Sequence, residues 1–233
     1  MSLNGKYALG ILLTFVLLAA AMLYIFPVVN MMAGTAEITS EKFFYSRMIL
    51  WLVAIIVFLY SLFVEKQYFL LWKEKSYSVL FYIGAVISLY FICLLGGALL
   101  NTFVKISTHE KNSSQLMRLA LIFRNNYSLI IITCLTAGVV EELLMRGYMQ
   151  PRIENIYSSR YSGILIPAVL FGILHSTYGT IGQVLVPFFI GAVFAVFYKR
   201  YSNIKILIIC HFMYDFVSLM VMNFINVKHL SVL

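Results

Sequence analysis

Hydrophobic residues dominate long stretches of this chain, and polar residues fall in short breaks between them. Apolar runs lie at roughly 7 to 32, 48 to 64, 77 to 100, 127 to 149, 161 to 176, 180 to 198 and 203 to 225. Most are long enough to cross a ~30 Å hydrocarbon layer as helices at 1.5 Å per residue. The pattern predicts an all-α, polytopic transmembrane bundle of about seven spans. The first run follows Lys6 and contains "LLAAAM", but its apolar core is too long for a signal-peptide h-region, so it is expected to remain as a span. The organisation predicted is an N-terminal set of helices with an interfacial loop over 1–126, a helical core over 127–225 and a short tail over 226–233. Within the longest connection, "SSQLMRLALIFRNN" suits either a helix lying in the membrane interface or an extension of the next span. "KQYFLLWKEK" places Tyr68 and Trp72 beside lysines, as at a membrane surface.

Composition supports this reading. Of 233 residues, 62% are hydrophobic and 11% charged, with a mean hydropathy of +0.94, where a soluble domain is nearer one quarter charged. The formal charge of +8 comes without a basic block, which argues against nucleic acid and for loop lysines and arginines that set topology. Lys6, Lys66, Lys73, Lys75, Arg146, Arg152, Arg160, Lys199, Arg200 and Lys205 fall on one side of a seven-span scheme. Their excess over the other side points to a cytoplasmic N-terminus. Cys93, Cys134 and Cys210 each lie in an apolar run and suit small core positions better than disulfides.

The distribution of ionisable residues brings in chemistry. Glu37, Glu41, Glu65, Glu74, Glu110 and Glu154 fall in connections by sequence position, and His109 and His229 are peripheral. Glu141, Glu142, His175, His211 and Asp215 sit in or at the edge of the last four spans. Ionisable groups there are costly to insert, so a functional role is their default reading. In "EELLMR", Glu142 and Arg146 at i, i+4 can pair on one helix face, leaving Glu141 free to face elsewhere. His211 and Asp215 repeat that spacing, as do Phe171 and His175, with Phe171 reading as packing. Counting rise per residue, His175 lies about 21 Å from its end of the span, His211 about 12 Å and Glu141 about 18 Å from the same membrane face. Three chemically capable groups on three helices thus fall at comparable depth. Gly138, Gly172 and Gly191 suit close helix contact.

A carboxylate and an imidazole sharing a proton can deprotonate water, and a second imidazole can stabilise an oxyanion. No serine or cysteine has an evident base beside it. Glu141, His175, His211 and Asp215 also make a plausible zinc set or a proton relay, although the prolines Pro27, Pro151, Pro167 and Pro187 lack the paired arrangement of a transporter.

"EELLMR", "FGILH" and "HFMYD" resemble the EExxxR, FxxxH and HxxxN/D motifs of the CPBP intramembrane proteases. That family includes CAAX prenyl endopeptidases and bacterial Abi, or bacteriocin-immunity, proteins. The resemblance covers about 127 to 225 and implies that Glu141, helped by His175, activates water. It implies that His211 with position 215 stabilises the oxyanion, and that Glu142 and Arg146 form a structural ion pair. Where the similar eukaryotic proteases carry Asn, this chain has Asp215, which must be protonated, orient His211 or bind a metal. The implied protein is an intramembrane endopeptidase of a bacterial cytoplasmic membrane, acting on a peptide or membrane protein. It needs either no cofactor or zinc. The alternative is a non-catalytic immunity or scaffold protein that binds a peptide or membrane partner.

Overall fold

The computed structural model describes residues 1–33, 39–110 and 114–224. Glu37, His229 and the tail over 226–233 lie outside the described residues. Every described element is a helix: α1 (Leu3–Ala33), α2 (Ser40–Tyr60), α3 (Val79–Thr108), α4 (Ser114–Phe123), α5 (Tyr127–Thr136), α6 (Gln150–Tyr157), α7 (Arg160–Leu174), α8 (Gly182–Tyr201) and α9 (Ile204–Phe224). A wide π turn carries α2 on to Glu65, and two more, Ala137–Glu141 and Leu143–Met149, join α5 to α6 as one rod. Among the described residues, seven helices are long and apolar enough to cross a membrane, as the hydropathy pattern predicts.

The breaks have local causes. Thr39, Ser78, Asn126 and Ser159 are N-caps whose side chains accept a backbone N–H from the first turn, filling donors that the helix leaves unpaired. Ser158 and Ser202 end α6 and α8 in the left-handed conformation. The Asn126 cap also separates α4 from α5, so the segment before the fourth span is a helix of its own.

Burial singles out one span. Inside the rod from Tyr127 to Tyr157, 61% of the apolar window is buried, against 17% in α3. The rod is therefore the core around which the other helices pack, while α3 leaves Leu80, Leu95, Leu99 and Phe103 exposed, as lipid-facing side chains are. Small residues let backbones meet there. A Cβ on Gly138 would come 2.9 Å from the Ile208 carbonyl oxygen and 3.1 Å from the Phe212 nitrogen. On Gly172 it would lie 2.8 Å from the Val184 carbonyl oxygen. Gly138→Ala is expected to push α9 away from the rod and to cost about 1–3 kcal/mol, read as a lower thermal midpoint in detergent together with reduced activity.

Several charges assigned by sequence position to connections are core groups instead. Glu65 is 2% exposed and Arg152 is fully buried. The Arg152 guanidinium donates to Glu65 Oε2, at 2.9 Å from Nε and 2.6 Å from Nη2, its Nε also reaches Oε1 at 3.1 Å, and Tyr148 adds its hydroxyl to Oε1 at 2.7 Å. The π turn at the end of α2 brings Glu65 inward to meet Arg152 on α6, a juxtaposition that loop counting misses. Glu154 pairs with Lys199 between α6 and α8. Glu74 accepts the Ile204 N–H at the start of α9, and burial raises its carboxyl above the ordinary carboxylate range. Tyr68 is exposed as a surface residue should be, whereas Trp72 packs on Tyr198 with Lys199 over its ring. All three cysteines are buried and free.

Candidate active site

The residues singled out by their depth converge where the central rod meets α7 and α9. Glu141 closes the first π segment after α5, and Glu142 links it to the second. Local π geometry is rare and recurs at functional sites, because the extra residue per turn re-aims side chains. Here two adjacent carboxylates serve different neighbours.

Glu142 is fully buried. Its Oε1 accepts from Arg146 Nη1 at 2.8 Å, the pairing expected from their spacing, and it also lies 2.7 Å from His211 Nδ1. The Arg146 guanidinium sits against two rings, 4.8 Å from the Phe171 centroid and 5.6 Å from that of Phe194. Phe171 and Phe194 also stand edge-on to the His211 ring. Glu142 is thus both the anchor of Arg146 and the group that orients His211, and the second role was not legible in the motif. Sequence spacing paired His211 with Asp215; in the structure the short contact goes to Glu142. His211 Nε2 lies 3.6 Å from Asp215 and 3.9 Å from Glu141. The imidazole is fixed at one nitrogen and points the other at two carboxylates.

His175 caps the end of α7 and opens a 3₁₀ turn that runs to Tyr178. Its Nδ1 is 2.8 Å from the Phe171 carbonyl oxygen. A carbonyl only accepts, so Nδ1 carries the proton and Nε2 is left as the base or second donor. Phe171 therefore does more than pack: it holds His175 through its backbone and Arg146 through its ring.

Glu141 and His175 line a cavity of about 330 Å³. Its walls include Leu18 and Ala21 from α1, Leu50 from α2, Leu119 from α4, and Met145 and Leu174. The first two helices, which carry no motif, thus build much of the chamber beside the motif residues. Sequence reasoning also missed Arg47 and Tyr178, which line the same cavity. Arg47 opens the apolar run "RMILWLVAIIVFLY", and a cation at the edge of a span was the available signal. Tyr178 lies one 3₁₀ turn past His175.

Among the described residues no three His, Cys, Asp or Glu side chains are grouped as a metal ion requires, and one nitrogen of His211 is already engaged by Glu142. The side chains bring a carboxylate and an imidazole to one cavity, with a second imidazole 3.9 Å from that carboxylate. Such an arrangement can take a proton from water and donate one to a developing oxyanion.

Residues 123–217 match the family model described as type II CAAX prenyl endopeptidase Rce1-like, so this segment of the chain is similar to the CAAX-type intramembrane proteases. The match contains Glu141, Glu142, Arg146, His175, His211 and Asp215 and leaves α1 to α3 outside it. No curated protein and no solved structure matches the chain.

Proposed function

We propose that this protein is an intramembrane endopeptidase in which Glu141 and His175 activate a water molecule for attack on a peptide carbonyl. The observation that carries this reading is that both side chains line one cavity while His211 Nε2 lies 3.9 Å from Glu141. Glu141 takes a proton from water as the oxygen adds to the carbonyl carbon, and His175 Nε2 shares that proton. His211, held through Nδ1 by Glu142, donates from Nε2 to the oxyanion when both ring nitrogens are protonated, and Asp215 orients that nitrogen. Collapse of the tetrahedral intermediate breaks the C–N bond as the proton returns to the leaving amine. Glu142 and Arg146 are positioning residues. The cellular setting that suits this activity is a bacterial cytoplasmic membrane, with a secreted peptide or a membrane protein as substrate and self-immunity or peptide processing as the role.

Purified protein in detergent, offered quenched fluorescent peptides, tests this. His175→Ala is expected to lower cleavage about 10²–10⁴-fold, and a strong zinc chelator is expected to leave the wild-type rate unchanged. Chelator-sensitive cleavage would overturn the metal-free mechanism. An intact but inactive wild type, with a cellular phenotype that survives Glu141→Ala, would replace the protease with a binding protein.

A further inference from the structure

The cavity carries one feature that water activation does not use. Arg47, from α2, is the only lysine or arginine among its described lining residues. Its guanidinium carbon sits 4.6 Å from the Phe43 centroid, and its Nε donates to Ser46 Oγ at 3.2 Å. These two contacts hold the stem and the first nitrogen. Among the described residues neither Nη nitrogen makes a hydrogen bond and no carboxylate stands at ion-pair distance; Glu141 and Tyr178 line the same cavity. A guanidinium fixed in this way presents a planar pair of N–H donors whose natural complement is a carboxylate, gripped by two parallel bonds.

The surroundings narrow the occupant. Leu18, Ala21, Leu50 and Leu174 make the chamber apolar, so a carboxylate entering it needs a fixed cation, and Arg47 supplies one. Glu141 lines the same chamber and disfavours a second negative charge beside itself. An anion held at Arg47 would therefore bear its charge on a group separate from the reacting carbonyl.

Building on the protease reading, we infer that Arg47 is a specificity determinant that binds a carboxylate of the peptide substrate and so sets the carbonyl against Glu141. That carboxylate is supplied by an acidic side chain or by a free C-terminus. The two sources share one chemistry and differ in which peptide loses it.

Binding and cleavage are measured together. Fluorescent apolar peptides are prepared as matched sets, with Glu or Gln at each position and with a free or amidated C-terminus. Binding by anisotropy is read on protein carrying Glu141→Gln, so that peptides stay intact, with and without Arg47→Gln or Arg47→Lys. One carboxylate is expected to tighten binding roughly tenfold or more. Arg47→Gln is expected to bring the ratio of carboxylate to neutral peptide near one, and Arg47→Lys to restore part of it. Dependence on the C-terminus alone identifies the terminal carboxylate; dependence on one Glu position identifies a side chain. Equal binding of acidic and neutral peptides by protein with Arg47 intact overturns the inference. So does an Arg47→Gln effect that weakens all peptides alike, which is the behaviour of a residue that only steadies Glu141. Carboxylate-dependent binding without cleavage by the wild type would retain the subsite and overturn the protease reading, so the two failures are distinct.

Discussion

Replacement of Glu141 by Gln is expected to reduce peptide cleavage by about 10²–10⁴-fold with the fold intact. The amide has the size and shape of the carboxylate but cannot take a proton at the pH of any cell, so the water loses its base. The side chain is 17% exposed, lines the cavity and, among the described residues, makes no ion pair closer than its 3.9 Å approach to His211, so little packing is lost. Single-turnover cleavage by detergent-purified protein, beside a thermal unfolding curve of the same preparation, separates the two effects. A Gln variant that cuts at more than a tenth of the wild-type rate would remove Glu141 from the role of base. A variant that loses activity and melts many degrees earlier would make Glu141 a structural residue.

The second large effect lies outside the site. Arg152→Met is expected to destabilise the protein by about 3–5 kcal/mol, because removing one partner leaves a buried charge uncompensated. Among the described residues Glu65 would keep only the Tyr148 hydroxyl, in a pocket where both side chains of the pair have no exposure. The backbone carbonyls of Tyr68 and Phe69 would also lose the Arg152 donor that ties the segment after α2 to α6. A fall in the thermal midpoint on the order of 10 °C is the expected readout. Adding Glu65→Leu to Arg152→Met should recover a large part of it, since apolar pairs of similar volume often match a buried ion pair. Equal loss in single and double variants would show that the hydrogen bonds to the loop, and not the charge balance, hold this region.

Much was legible without coordinates. Seven apolar runs became seven helices because length and hydropathy are local properties and the bilayer demands both. Glu142 and Arg146 meet because they are one turn apart, and Glu141, His175 and His211 come to one region because helix rise per residue converts sequence position into depth. Other features depended on contacts between distant segments. Glu65 and Arg152 looked like loop charges, since their partner was 87 residues away. The bond from Glu142 to His211 crosses 69 residues and displaced the nearer Asp215 as the partner of that ring. Arg47 and Tyr178 entered the site only when α2 and the turn after α7 closed around one cavity.

The sequence by itself determined which segments are helices, how far down each polar side chain sits and which neighbours share a face, since these follow from a period of 3.6 residues and a membrane of given thickness. Tertiary structure alone decided which face of each helix turns inward, because that choice is made by packing between helices and by the pairing of buried charges. It turned Glu141 toward the cavity, gave His211 to Glu142, and built from α1 and α2 the walls of a site whose motifs all lie elsewhere in the chain.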